Sequence, residues 1–349
     1  MKILRGTAQA NPNIAIVKYW GKRDEKLILP FNSSISVTLD EKLKTISTVA
    51  FSEKFKEDEV YIIYKGTLKK LETKEELEKI LPQLEVIRKI AKTNLRAKVV
   101  SKSFLPIATG LASSSAALCA TALAAASALK LKLNKKELSI LSRLGSGSAC
   151  RSMFGGFVLW EKGTNEDGSD SFAYQFKNEN FWKDFRILIC IIEEREKKIK
   201  SRKGMQQTVA TSVLFRKRIE MLPYIIEKTK KAILEKDHRT LFEIAMKESN
   251  NLHAVLLDTW PPIIYLKDLS KNVIEEILKF NQDGIKAAYT FDAGPNPVIF
   301  TLKKYVPPLK LILKKLKIKN IIVSKVGGGA KVLKDCHLID KEGRIILNF

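Results

Sequence analysis

The chain is 349 residues long, enough for one long or two ordinary domains around a sizeable core. Hydrophobic residues make up 45% and charged residues 29%, the proportions of a soluble globular protein, and no apolar run approaches the length of a bilayer-spanning helix. Lys and Arg number 62 against 38 Asp and Glu, a net charge of +24, but the lysines are spread over nearly every segment rather than gathered into an aromatic-laced patch, so they read as a solvated basic surface that attracts polyanions, with neither a nucleic-acid nor a membrane partner expected.

The four cysteines, Cys119, Cys150, Cys190 and Cys336, form no Cys-x-x-Cys pair and read as small buried hydrophobes in a reducing compartment. His238, His253 and His337 lie too far apart in sequence to suggest a histidine metal cluster. The N-terminal stretch is basic but lacks the apolar core and cleavage site of a signal peptide, so the expected location is cytoplasmic.

In chain order, residues 35–39, 44–51 and 60–64 read as strands. Thr73 and Glu76 form a capping box ahead of Leu77, Ile80, Leu81, Leu84 and Ile87 at helical spacing, and Pro82 should kink or divide that helix. Residues 97–102 are strand-like, and 113–130 form an alanine-rich helix. Asn134 and Glu137 cap a helix over 135–144, Gly155 and Gly156 open a strand over 157–160, and 187–192 reads as a fully buried strand. The basic stretch 195–203 is expected to be a mobile loop. Two long amphipathic helices are expected over 205–235 and, behind an Asp237 cap, 239–257. A helix over 269–280, strands over 286–290 and 297–302, a helix over 309–316 and a strand over 321–324 complete a mixed α/β chain, with a domain change near 180–200.

The first chemical signal is the turn containing Pro106, Gly110, Leu111 and Ala112, which feeds into a small-residue helix through Ser113, Ser114 and Ser115. Such a helix start offers free backbone N–H groups and a positive dipole end to a phosphate, and the serine hydroxyls add donors or a magnesium ligand. An ordinary capped, closely packed helix start explains the same residues equally well. A Walker A loop is excluded, because no Gly-Lys-Ser/Thr follows.

This segment resembles the phosphate loop of the GHMP kinase superfamily. Four further segments, in family order, resemble the diphosphomevalonate decarboxylase family within it. They are Asn11-Pro12-Asn13 running into Lys18-Tyr19-Trp20-Gly21-Lys22, then Gly145 to Ser152 with Gly155-Gly156, then Asn251 to Ala254 with Pro261-Pro262-Ile263, and finally Tyr289 to Asn296. The resemblance implies a GHMP kinase-like fold of the α/β (α+β) class, with an ATP-binding domain over 1–185, a second domain over 186–349 and the active-site cleft between them. It implies ATP and Mg²⁺, the small-molecule substrate mevalonate 5-diphosphate, isoprenoid biosynthesis, and a homodimer.

The same resemblance assigns roles. Asp292 matches the catalytic aspartate that accepts or orients the proton of the substrate's 3-hydroxyl, a task suited to a carboxylate. Arg151 matches the arginine that binds the substrate carboxylate, and Asn13 the asparagine that supports it. Lys18, Tyr19 and Lys22 match residues contacting phosphate and substrate, and Ser146 and Ser148 match serines bonded to the diphosphate. Ser114 matches the serine orienting the γ-phosphate, with Ser113 beside it as the magnesium ligand. Ser201-Arg202-Lys203-Gly204-Met205 resembles the bacterial form of a family segment, in which Arg202 reaches the diphosphate, although Lys200 stands where a serine is common. Without the resemblance, Asp292 reads as a turn former and the serines as caps. A phosphomevalonate decarboxylase or a mevalonate 3-kinase on the same scaffold is the alternative, and a basic nucleic-acid-binding protein the weak one.

Overall fold

The computed structural model describes residues 2–104, 113–193 and 199–347, with the backbone alone at Ser113. The first half runs β1 (Leu4–Ala10), β2 (Asn13–Val17), β3 (Lys22–Asp24), β4 (Leu29–Pro30), β5 (Ser34–Thr38), β6 (Thr45–Ser52), β7 (Glu59–Tyr64) and β8 (Thr67–Lys70). It continues through α1 (Lys74–Leu77), α2 (Leu81–Ala91), β9 (Arg96–Ser103), α3 (Ser113–Ala128), α4 (Lys135–Arg143), α5 (Ala149–Ser152), β10 (Phe157–Trp160) and β11 (Ala173–Lys177). The second half runs β12 (Phe185–Ile191), α6 (Ser201–Thr211), α7 (Val213–Leu234), α8 (His238–Asp258), α9 (Asp268–Phe280), β13 (Ala287–Thr290), β14 (Val298–Leu302), α10 (Val306–Lys315), β15 (Asn320–Lys325) and β16 (Lys331–Leu333).

Among the described residues these strands make a six-stranded sheet, β16-β1-β6-β9-β7-β8, two four-stranded sheets, β11-β10-β5-β2 and β13-β14-β12-β15, and the small β3-β4 pair. Pairing is antiparallel except between β7 and β9. The β11-β10-β5-β2 sheet is the middle layer, and period-2 alternation explains why. Phe157 and Leu159 of β10 join the apolar cluster shared with the second half, whereas Val158 and Trp160 join the cluster under α3 and α4. On β5, Ile35 and Val37 take the first side, which leaves Ser34, Ser36 and Thr38 as buried polar groups on the other. The alanines of α3 have a geometric reason: the helix lies so close to β1 that a Cβ on Gly6 would stand 2.3 Å from the carbonyl oxygen of Ala124. After the second half is complete, β16 crosses back to pair with β1.

The capping boxes at Thr73 and Asn134 are both formed, and Pro82 lies in the first turn of α2, dividing α1 from α2 as its fixed φ and missing N–H require. Two expectations are corrected. The helix expected over 205–235 is two helices broken at Ser212, which is extended (φ −83°, ψ 123°) and caps α7 by accepting from Phe215 N–H. Its hydroxyl also donates to Asp258 at 2.6 Å, so a serine that can bond locally ends one helix and starts the next. The loop expected over 195–203 is helical from Ser201 onward, where α6 begins; residues 195–198 lie outside the described residues.

Candidate active site

Asn13, the first residue of β2, and Ser34, the first residue of β5, meet the side chain of Arg151 from α5, and there the structure builds a cradle. The Arg151 side chain is buried. Nε donates to Asn13 Oδ1 at 3.1 Å and Nη1 to Ser34 Oγ at 2.7 Å. Asn13 is itself fixed, since its amide nitrogen donates to Ser148 O at 3.1 Å and to Ser152 Oγ at 2.8 Å, leaving the carbonyl oxygen to face the guanidinium. Ser152 in turn donates to Ser115 Oγ at 3.4 Å, which links the cradle to the first turn of α3. The Trp160 ring lies 5.8 Å from the guanidinium carbon. Every one of these partners is neutral. Burial pushes the Arg151 pKa down from its ordinary value, while the negative forms of Cys150, Asp292 and Tyr19 oppose that. A guanidinium still keeps its proton in such a place, so the cradle holds a desolvated positive charge.

Opposite it, Lys18 Nζ donates to Asp292 Oδ1 at 2.7 Å, with Lys18 only 2% exposed and Asp292 24%. Lys18 follows the last residue of β2, and Asp292 lies just beyond β13, so the pair joins the two halves of the chain. One strand connects the two groups: Asn13 at the start of β2 holds Arg151, and Lys18 just past its end holds Asp292. His253 of α8 stands edge-on to Phe291 with centroids 6.0 Å apart. Burial first, then the Lys18 charge, pushes His253 down to about 4, so its ring is neutral, and Nε2 is buried without a hydrogen-bond partner.

A third group surrounds the turn before α5. Ser146 and Ser148 are half-buried, with hydroxyls 3.2 Å apart, and Arg202 Nη2 donates to Gly145 O at 2.8 Å. Gly147 between the serines must be glycine, because a Cβ would stand 2.6 Å from Trp160 and 2.7 Å from Tyr19. Tyr19 packs edge-on against Trp160 at 4.8 Å, its buried hydroxyl has no partner, and its pKa is raised, chiefly by burial. Lys22 is buried and ion-paired with Glu25; burial lowers its pKa while Glu25 works against that. Arg202 bonds the same serine turn that Tyr19 packs against, and Lys22 lies three residues beyond Tyr19, so the turn is bordered by an electropositive corner.

The structure thus brings together Asn13, Lys18, Tyr19, Lys22, Ser115, Ser146, Ser148, Arg151, Arg202 and Asp292. Ser114 is exposed in the first turn of α3. Pro106, Gly110, Leu111 and Ala112 lie outside the described residues, as does the side chain of Ser113. Among the described residues no group of three His, Cys, Asp or Glu could hold a metal. That donor set fits Mg²⁺ only as an ion carried by phosphate oxygens and water with few protein ligands, which is its usual habit. Three partners escaped the sequence reading: Ser34 and Ser152 of the cradle, and Glu248, which accepts from Lys18 N–H at 3.0 Å. No helix among the described residues is long and apolar enough to cross a membrane.

Two family models match the chain: the diphosphomevalonate decarboxylase-like N-terminal domain over residues 10–173 and the mevalonate 5-diphosphate decarboxylase C-terminal domain over 187–326. A Candida albicans protein named diphosphomevalonate decarboxylase is 46% identical over 297 residues, covering 82% of each chain. The crystal structure of mevalonate diphosphate decarboxylase from Staphylococcus aureus superposes with a TM-score of 0.88 at 36% identity, covering 95% of this chain and 98% of that one. A structure of MDDEF in complex with MVAPP, AMPPCP and magnesium superposes with a TM-score of 0.87 at 36% identity, covering 95% and 99%.

Proposed function

This chain belongs to the diphosphomevalonate decarboxylase family, and we infer from that premise that it converts mevalonate 5-diphosphate and ATP to isopentenyl diphosphate, ADP, phosphate and carbon dioxide. The observation that carries the reading is the meeting of two opposed groups. A carboxylate held by a lysine, Asp292 with Lys18, and a buried arginine whose described partners are all neutral, Arg151, are tied to the two ends of the one short strand β2.

An arginine has five N–H donors, and two are used by Asn13 and Ser34, so three remain for an incoming anion. The substrate carboxylate fits them bidentately. With that end fixed, the tertiary 3-hydroxyl lies toward Asp292. The hydroxyl oxygen attacks the γ-phosphorus of ATP, its proton passes to Asp292, and ADP leaves. The C3–O bond then breaks and phosphate departs. The electrons of the bond between the carboxylate carbon and C2 become the C2–C3 double bond, and carbon dioxide is released. Arg151 keeps the carboxylate in line while positive character develops at C3. Lys22, Ser146, Ser148, Tyr19 and Arg202 supply donors and positive charge for the 5-diphosphate.

ATP binds at the start of α3, where Ser114 and the backbone N–H groups meet its phosphates, and the flanking residues Pro106 to Ser113 belong to the same segment. Mg²⁺ would be held chiefly through the nucleotide phosphates, with Ser113 as its protein ligand, and would supply charge neutralisation to the transferring phosphoryl group. The magnesium complex of the related MDDEF, with the ATP analogue AMPPCP, supports this choice. A cytoplasmic location and a homodimer complete the reading. Exposed Val213, Leu214, Trp260 and Ile264 around the α6–α7 junction and the end of α8 support a covered face, which sedimentation would test.

The decisive experiment supplies ATP and Mg²⁺ with mevalonate, its 5-phosphate or its 5-diphosphate and measures ADP and carbon dioxide separately. Equal yields of both from the diphosphate are expected. ADP without carbon dioxide would mean a 3-kinase, and a preference for the monophosphate would mean a phosphomevalonate decarboxylase.

A further inference from the structure

Arg218 of α7 and Glu248 of α8 form a second ion pair, buried deeper than the catalytic one: their side chains are 1% and 6% exposed. The contact is two-pronged, Nη1 to Oε1 at 3.1 Å and Nη2 to Oε2 at 2.9 Å. Replacing such a pair by apolar residues of similar volume is often neutral or stabilising, so its presence is poorly explained by stability. What the pair touches explains it better. Glu248 Oε2 accepts from Lys18 N–H at 3.0 Å, and Arg218 Nη2 donates to Lys18 O at 3.2 Å. Both backbone polar groups of Lys18 are therefore seized by one ion pair, and Asn32 Nδ2 adds a second bond to Lys18 O at 3.0 Å.

The next residue of α8 does the same on the other side. Ser249 Oγ accepts from Phe291 N–H at 2.9 Å, immediately before Asp292. Consecutive residues of one rigid helix thus fix the backbone at both ends of the Lys18–Asp292 contact. Two chain segments 274 residues apart in sequence are registered against a common ruler.

We propose that α8 is the registration element of the site, with Glu248, Arg218 and Ser249 as positioning residues that hold Lys18 and Asp292 at reacting distance. This rests on the reading of Lys18 and Asp292 given above. None of the three positioning residues need touch substrate. Displacing a reacting group by about 1 Å is enough to lose on the order of 100-fold in rate, so an apparently structural network carries a catalytic consequence.

The test replaces the pair by apolar residues, Arg218→Met with Glu248→Leu, and separately makes Ser249→Ala. The expected outcome is a folded double variant whose kcat falls ~100-fold while KM for ATP and for mevalonate 5-diphosphate moves by less than ~3-fold. Ser249→Ala should lose ~5-fold in kcat, since one of the two anchors survives. In a Lys18→Met background the Arg218→Met, Glu248→Leu change should cost less than ~3-fold, and in an Asp292→Asn background Ser249→Ala should likewise cost less than ~3-fold, because the residue each acts through is gone. A merely structural role predicts the same losses in these backgrounds as in wild type, and that result overturns the proposal. So does a folded double variant within about two-fold of wild-type kcat. Should the double variant not fold, Ser249→Ala decides: wild-type kcat there, or an equal loss in the Asp292→Asn background, overturns the proposal, and a kcat loss that vanishes in the Asp292→Asn background sustains it. Crystal structures of the variants separate this idea from the functional reading. A lengthened Lys18–Asp292 contact supports the ruler whatever the activity, whereas Lys18→Met turning over normally would sink the role given to Lys18 itself.

Discussion

Arg151 and Arg218 are buried to the same extent, 3% and 2% exposed, yet their surroundings are opposite. Arg218 is met by both oxygens of Glu248. Arg151 is met by an asparagine oxygen and a serine hydroxyl, with no carboxylate in salt-bridge contact among the described residues. A buried charge that is neutralised in the folded chain is part of the frame. A buried charge surrounded by neutral dipoles has its counter-ion still to come. The surface ion pairs, such as Lys217–Glu220 and Lys271–Asp268, belong to neither class, since solvent screens them and their contribution is small.

The sharpest way to break this comparison is to neutralise one charge in each place. Glu248→Gln leaves Arg218 buried without its partner and should destabilise the fold by about 3–5 kcal/mol, seen as a lower urea midpoint. Arg151→Gln removes a charge that has no internal partner, so the urea midpoint should stay level or rise while turnover collapses. Arg151→Lys should restore only part of the activity, because an ammonium lacks the planar fork. A large stability loss in Arg151→Gln would erase the distinction. Next in size, Asp292→Asn keeps the shape of the side chain but cannot take a proton, so kcat should fall ~1,000-fold with substrate binding little changed, as isothermal titration would report.

The local elements around these two arginines were legible in the chain, the contrast between them was not, and the misses have physical causes. The strands at 157–160 and 187–192, the two capping boxes and the helix division at Pro82 rest on local rules, and they formed. The break at Ser212 did not read, because a helical stripe continues on both sides and the anchor, Asp258, lies 46 residues away. Arg151, Asn13 and Asp292 entered through a family resemblance; alone, each was an ordinary turn or surface residue. Glu248 and Arg218 left a signal that passed unused. On α8 the buried stripe runs through Leu241, Phe242, Ala245, Leu252, Val255 and Leu256, and Glu248 and Ser249 fall on it; on α7 Arg218 falls on the stripe of Phe215, Leu222 and Ile226. Opposite charges on the apolar faces of consecutive helices imply a buried pair.

His253 offers a smaller test of the same environment. Its folded pKa, about 4, lies below its ordinary 6.5, so the unfolded chain binds the proton more readily. The contribution to stability is therefore fully present above pH 6.5 and is lost as pH falls through about 4, a loss on the order of 2–3 kcal/mol across that window. His253→Gln should flatten that part of the curve in urea titrations at stepped pH. An unchanged slope would mean that water reaches the ring.

The smallest expected effect concerns the electropositive corner, where the contrast between compensated and waiting charge is least clean. Lys22 already has Glu25, whereas Arg202 among the described residues is bonded to the carbonyl of Gly145. Arg202 also reaches the site from α6, the helix that replaced an expected loop, so its guanidinium is carried on a rigid first turn. The terminal phosphate of a 5-diphosphate adds charge that Arg202, Ser146 and Ser148 are placed to meet. A 5-monophosphate would leave those donors partly unpaired, which is how a polar site rejects a shorter analogue. Wild type should therefore favour the diphosphate in kcat/KM, and Arg202→Ala should shrink that preference ~10-fold, mostly by weakening diphosphate use rather than improving monophosphate use. Lys200, ion-paired to Glu75 at 2.9 Å, is turned toward α1, so Lys200→Ala should leave the preference nearly intact. If Lys200→Ala and Arg202→Ala shift it equally, the preference comes from the general positive field of this basic chain rather than from a positioned guanidinium, and raising the ionic strength should then abolish it in wild type as well.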